Sequence, residues 1–436
     1  MTPLLDLVPQ RLPLVLWALL GCGVAAAQGS TQPSSTPTGA TSSTAQSAGL
    51  TVYRGARILP GGGPAIEAGV LVVAGKTIQA VGGSNTPIPE GATVVDCTGK
   101  TITPGLIDAA FRGGGNANDQ NEQSQEVTPH LRVLDSLDPE HPSFARARAA
   151  GVTTVHLMPG TRNVIGGLGC VVKTAGSDPA AMVLDAEASL RLVMGSEPSQ
   201  GNRAIRGGSV DSIYYRRPTT RMGVVWAARK SFYDAKQALE QSLGQAPPGT
   251  DPGRDVLVRA LQGKLTVFTT ARSDQDIRTA LRLAEEFGYR TVVDEAQDAH
   301  FVVDALAAAK VTVLLGAPSA TTIAGSGGSD GAEPRYATVG LLAARGVPFV
   351  VTTGTNLAAL DLPREAMFAV RCGLSASQAL DAITILPARL LGQDRRIGSL
   401  AQGKDADFVV WSHDPFDPAA VAESVHIDGN PVLATR

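Results

Sequence analysis

Ile102-Thr103-Pro104-Gly105-Leu106-Ile107-Asp108 is where the sequence of this chain changes character. Upstream, apolar runs at 52–59, 69–73, 77–81 and 92–96 are broken by Gly and Pro and read as short strands. Downstream, apolar strands alternate with helical segments, the order of parallel β/α units. Strands are expected at 153–158, 170–174, 265–270, 291–294, 311–315 and 349–353, and helices at 221–243, 274–287, 299–309, 339–345 and 375–383. Beyond Leu391 the β-rich pattern returns at 407–411 and 425–428. The expected fold is α/β: a (β/α)8 TIM-like barrel over 105–390, with 50–104 and 391–436 joining as a small composite β-sandwich. Periodicity alone leaves a doubly wound open sheet as the alternative.

Composition narrows the function classes. The 436 residues suffice for one large and one small domain with a sizeable core. A formal net charge of −3 gives no electrostatic footprint for nucleic acid, and 4% aromatics leave few platforms for stacking bases. Residues 1–27 read as an export signal: Arg11 precedes the apolar run 12–24, which ends in Ala25-Ala26-Ala27. That run is shorter than the roughly 20 residues that span a bilayer. Leu19-Leu20-Gly21-Cys22 also resembles a bacterial lipobox, so a lipid anchor on Cys22 is the alternative to plain secretion. The expected location is therefore periplasmic, secreted or envelope-anchored, with membrane contact only through such a lipid. Residues 28–49 carry no charge and little apolar surface, and read as a disordered linker. Cys97, Cys170 and Cys372 are too few and too widely spaced for a disulfide framework, although one bridge is compatible with export.

Three stretches resemble the amidohydrolase superfamily, in particular its imidazolonepropionase-like branch. They are 102–108, quoted above; Ala379-Leu380-Asp381-Ala382-Ile383-Thr384-Ile385-Leu386-Pro387-Ala388; and Ile397-Gly398-Ser399-Leu400-Ala401-Gln402-Gly403-Lys404-Asp405-Ala406-Asp407. Gly151 to Val155, Pro159-Gly160 and Asn163 to Gly167 extend the likeness. Each motif alone is moderately specific; three in order at matched spacing are strong. The resemblance implies a barrel with its chemistry at the strand C-terminal ends. It also implies hydrolysis of non-peptide C–N bonds in amides or cyclic amides, by a water activated on zinc or another divalent metal.

The same resemblance implies ligands that this chain lacks. A His-x-His is expected after Asp108, where Ala110 and Arg112 stand. Ala110 offers no lone pair and Arg112 a permanent cation. Further histidines are expected at Thr270 and Glu295, and the catalytic Asp at Gly354. A slip of one residue does not restore the set, because Thr269, Asp294 and Thr355 flank those places. The six histidines show neither His-x-His nor His-x-x-x-His spacing. Only Glu295 could readily ligate a metal, and a catalytic site takes three or more protein ligands. No metal cofactor is expected.

His156, late in a barrel strand, and His300, near a helix start, are candidates for acid/base work beside Glu295; the bland reading makes both imidazoles structural. Arg112 and Glu295, opposite charges at two ligand positions, are expected to pair across the mouth unless independent drift placed them there. A basic stretch with Arg203, Arg206, Tyr214, Tyr215, Arg216, Arg217 and Arg221 could bind an anionic ligand or an acidic partner, a solvated or subunit-facing loop being the plainer reading; the Gly/Ser-rich segment 318–335 reads equally as a mobile lid or a flexible βα-loop. Two functions follow. One is a non-catalytic binding or partner subunit, in a homo- or heterodimer with an intact amidohydrolase paralogue. The other is an active hydrolase of small amides using a rearranged or metal-free site.

Overall fold

The computed structural model describes residues 49–122, 124–176, 178–200, 217–241, 251–316, 335–354 and 361–434. The expected export signal, Cys22 and most of the linker lie outside them, as do Arg203, Arg206, Tyr214 to Arg216 and 318–334. Among the described residues no helix is long and apolar enough to cross a membrane.

The small sheet begins with β1 (Leu50–Ile58), β2 (Ile66–Ala74), β3 (Thr77–Gly82), β4 (Thr93–Asp96) and β5 (Thr101–Pro104). One residue, Gly105, separates β5 from β6 (Leu106–Phe111), the first strand of the large sheet. A Cβ on Gly105 would lie 2.0 Å from the Thr153 hydroxyl, so only glycine lets the chain pass from one sheet to the other here. The large sheet continues in sequence order through β7 (Val152–Leu157), β8 (Ile165–Lys173), β9 (Val183–Val193), β10 (Thr266–Thr270), β11 (Thr291–Asp294), β12 (Thr312–Gly316) and β13 (Phe349–Thr352). The chain then returns to the small sheet as β14 (Phe408–Trp411), β15 (Ala422–Ile427) and β16 (Asn430–Ala434), with β14 pairing antiparallel to β5.

The large sheet departs from a strict (β/α)8 order at β8, which runs antiparallel to both β7 and β9. Only residues 158–164 connect β7 to β8, too few for the dozen or more residues of a crossover to a parallel neighbour. The hairpin is forced by that short link. β9, an 11-residue strand, is an element the periodicity misses, because Asp185, Glu187 and Arg191 interrupt its apolar pattern. The remaining neighbours pair in parallel. Between β13 and β6 the ring is completed by Ala382 and Ile383: Ile107 N donates to Ile383 O (2.9 Å) and Val351 N to Ala382 O (3.1 Å). Ile107, Ala109, Met158, Val171, Phe268, Val292, Leu314 and Val350 fill the barrel interior with Ala388, Leu391 and Ile397.

Around the barrel lie α1 (Pro142–Ala149), α2 (Pro179–Met182), α3 (Arg221–Gln241), α4 (Pro252–Leu261), α5 (Asp274–Phe287), α6 (Val303–Ala309), α7 (Thr338–Ala344), α8 (Leu362–Arg371), α9 (Ala376–Asp381) and α10 (Ile385–Leu390). α5 shows how local sequence sets them. The Ser273 hydroxyl caps Asp276 N at its start, Gly288 takes φ +74 at its end, and Ile277, Ala280, Leu283 and Phe287 face the core.

Candidate functional site

Strand register decides which side chains reach the barrel mouth. In-register neighbours of a parallel sheet point the same way, and every second residue repeats the direction. Phe268 aligns with Arg191 and Val292, and Thr270 with Asp294. Since Phe268 and Val292 fill the interior, Arg191, Thr270 and Asp294 point inward too, one layer apart. Glu295 follows β11 with φ +56, a left-handed backbone that a non-glycine residue adopts only when its surroundings hold it there.

What holds Glu295 is charge. Its Oε2 accepts from Arg272 Nε (2.6 Å) and its Oε1 from Arg112, while Arg191 Nη2 stands 3.7 Å from Oε1. Arg272 also reaches Glu197 Oε2 (2.5 Å), which in turn accepts from the Thr161 hydroxyl through its other oxygen. Arg191 is fully buried and donates to Asp294 Oδ2 (2.7 Å) and to the Met158 sulfur (3.1 Å). Three guanidinium groups thus interleave with Glu197, Asp294 and Glu295 across strands β6, β9, β10 and β11. The pairing of Arg112 with Glu295 is the one expected from sequence; Arg191, Arg272, Asp294 and Glu197 are members it did not single out. Ala110 and Thr270 are buried beside this network, and the Thr270 hydroxyl has no hydrogen-bond partner. Gly354 adopts φ +65, and its Cα lies 2.5 Å from where a Cβ on Gly316 would be, so the two backbones meet directly.

Burial alone would lift the Glu295 carboxyl, but Arg272, Arg112 and Arg191 outweigh it and hold the group down at about 2. Burial raises Asp294 against the pull of Arg191, and raises Asp108 despite the Thr353 hydroxyl donating to it at 2.5 Å. A carboxyl depressed in the folded state contributes stability above its unfolded value, and that contribution disappears as pH falls. Wild-type protein is therefore expected to lose about 3 kcal/mol between pH 4.5 and pH 2 that Glu295→Gln does not lose. Denaturant unfolding across that range checks it; identical slopes for the two proteins would refute the charge assignment.

His156 sits inside the barrel below this layer. Its Nδ1 hydrogen-bonds Ala109 O (2.9 Å), its Nε2 the Ser189 hydroxyl (2.8 Å), and its ring meets Phe268 edge-on. With Nδ1–H donating to the carbonyl, Nε2 accepts from Ser189, which keeps the ring neutral. Burial lowers its pKa to about 4. His156 and Ser189 form a hydroxyl–imidazole pair, yet both are sealed from solvent, so the pair acts as structure. His300 lies in the single 3-10 turn before α6, against Phe301, in a shallow recess with Arg278, Leu341 and Arg345 on the outside of the helices. The structure does not bring it to Glu295's partners. Sequence reading also passed over Glu365, which lines a small cavity with Leu315, Tyr336 and Phe368 and which burial pushes up to about 7. Cys97, Cys170 and Cys372 are free thiols.

The donors at this mouth do not fit a divalent metal. Among the described residues no group of three or more His, Cys, Asp and Glu side chains gathers to hold one. Glu295 is saturated by guanidinium groups that would repel a second cation.

Comparisons with known proteins address the scaffold. A model described as the amidohydrolase family matches residues 271–432. The amidohydrolase tasK of Hapsidospora irregularis is 28% identical over 376 residues, 78% of this chain; the chain spans 37% of that relative's length. The crystal structure of an amidohydrolase from Thermotoga maritima MSB8 superposes with a TM-score of 0.78 at 30% identity, covering 88% of this chain and all of the other. A zinc-bound adenosine deaminase from Xanthomonas campestris, at 16% identity and a TM-score of 0.53 over 88% of this chain and 93% of its own, shares the fold.

Proposed function

The chain belongs to the amidohydrolase family, hydrolases of carbon–nitrogen bonds, and from that premise we propose that it does not run metal-dependent hydrolysis and acts as a non-catalytic binding or partner subunit. The observation that carries this reading is Glu295, enclosed by Arg112, Arg272 and Arg191 where the family resemblance calls for a metal ligand. A carboxylate held at about 2 by arginines is a poor general base, because its affinity for a proton has been removed. The other acid/base candidate in the barrel, His156, is neutral and sealed. Arginines here do what a metal would do for the scaffold, neutralising inward carboxylates, without the open coordination position that activates water. The N-terminal sequence supports export, so the proposed setting is the cell envelope and the proposed partner a second amidohydrolase barrel, of the same or a ligand-competent chain.

Elemental analysis of protein purified from its native source tests this reading. No stoichiometric zinc, iron or manganese is expected, and no hydrolysis of cyclic amides or amidated peptides. About one tightly held metal per chain would overturn it. Hydrolysis that survives chelator and is lost in Glu295→Ala would instead establish the alternative, a metal-free amide hydrolase.

A further inference from the structure

At the end of the barrel opposite the mouth, a cleft of about 1130 Å³ opens beside Thr266, Thr291 and Thr312, the first residues of β10, β11 and β12. Its sides are α5, the turn that follows it, the end of α6, and α10. Five basic side chains line it, Arg278, Arg282, Arg290, Lys310 and Arg389, against one carboxylate, Glu285. The chain as a whole leans the other way, with 40 acidic residues to 37 basic. Arg278 has Asp274 at 4.0 Å. Among the described residues the Arg282 side chain reaches only the Thr279 hydroxyl (3.5 Å) and that of Arg290 only the Gly263 carbonyl, while Lys310 and Arg389 pair with no carboxylate. Exposed cations elsewhere, such as Arg57, Lys100 and Arg229, sit on carboxylates at 3.0, 2.6 and 2.9 Å. We propose that this cleft is a binding site for a phosphate ester with an apolar body. It stands independently of how the barrel mouth is read.

Part of this positive charge answers the helices themselves. α5 ends at Gly288 (φ +74) and α6 at Lys310 (φ +53), both in the cleft wall, and a helix C-terminus carries roughly half a negative charge. Two such ends offset about one cation, which leaves most of the excess in place. Charge of one sign in a concave surface concentrates the opposite ion. The cations come from four separate places, α5, the turn after it, the end of α6, and α10, so a bound anion meets them from several sides. Guanidinium forks match phosphate oxygens, and a doubly charged phosphate answers several cations better than a single carboxylate does. The body of the ligand follows from what lies between the charges. Leu281, Ala284, Val311 and Leu390 are half-buried in the same cleft, so apolar surface is offered beside the cations. The volume is that of a small-molecule site, roughly 300–1,000 Å³ in the usual case, and far exceeds a bare phosphate.

Isothermal titration of the full chain with inorganic phosphate, hexyl phosphate and hexanol is the test. Hexyl phosphate is expected to bind roughly tenfold or more tighter than inorganic phosphate, the effect of burying about two methylenes, and hexanol not to bind. Arg282→Glu and Lys310→Glu, both at exposed positions, are each expected to weaken hexyl phosphate roughly tenfold with unchanged thermal unfolding, and Glu285→Gln to tighten it about twofold or more. Sedimentation with vesicles of phosphatidylcholine containing phosphatidic acid separates the two sources of such a group. Capture that hexyl phosphate reverses assigns the site to a lipid headgroup; soluble binding without capture assigns it to a free ester. No binding of hexyl phosphate at millimolar concentration overturns the proposal, as does binding indifferent to all three variants. Hexyl phosphate no tighter than inorganic phosphate overturns the apolar part of the assignment, on which the ligand class rests.

Discussion

Arg191→Met is expected to lower the free energy of unfolding by roughly 3–5 kcal/mol, the usual consequence of removing one partner from a buried ion pair. Arg191 is 0% exposed and Asp294 2%, and the guanidinium is 2.7 Å from that carboxylate. Without it Asp294 is left in the barrel interior with no cation in contact, and burial already favours its protonated form. The loss therefore comes from the orphaned carboxylate more than from the missing attraction. It follows that Arg191→Met/Asp294→Leu should be more stable than the two single effects added together would allow. Urea unfolding with unchanged m-values would measure both. A single variant within about 1 kcal/mol of wild type would show that water, not Arg191, satisfies Asp294.

Lys173→Met is expected to be as severe, again roughly 3–5 kcal/mol, and to depend on pH. Lys173 ends β8 and its ammonium reaches Asp405 (2.8 Å), Asp407 (3.1 Å) and Asp428 (2.5 Å), tying the barrel to the strands that return to the small sheet. Burial holds the Asp407 carboxyl up to about 6 even with the lysine present. A carboxyl raised in the folded state favours the protonated native form, so stability falls as pH rises from 3.8 through about 6. Losing Lys173 pushes that carboxyl higher still. The variant should thus lie nearest to wild type in acid and furthest from it above neutrality. A deficit that is constant with pH would mean that packing of the lysine stem, not its charge, holds the junction.

These two lysine and arginine networks explain why the scaffold was legible in the sequence and the site was only half so. Each family-like stretch does a local structural job. Gly105 allows the passage between sheets, Ala382 and Ile383 complete the ring between β13 and β6, and Asp405 and Asp407 grip Lys173. The glycine passage and the carboxylate grip need one residue type at one place, and so leave a readable motif, whereas the ring closure uses main-chain carbonyls. The site differs. Arg191 lies on a strand that the apolar pattern does not reveal, and Arg272 follows β10 with nothing nearby in sequence to pair it with Glu197 or Glu295. Arg112 and Glu295 could be paired beforehand only because the family resemblance implies a ligand at each of the two positions.

By itself the sequence determined that this chain folds as an amidohydrolase-type barrel, since that is a property of residues in order along the chain, and it supplied the expectation that Ala110, Arg112, Thr270, Glu295 and Gly354 stand where the family resemblance implies ligands. Tertiary structure alone decided the reversed strand β8, the sealing of His156 against Ser189, and the closure of Arg112, Arg191 and Arg272 around Glu295 and its neighbouring carboxylates. The physical reason is range. Turn chemistry and periodicity act over a few residues, whereas a buried charge is tolerable only where partners from distant strands converge on it, and that convergence exists only in the folded barrel.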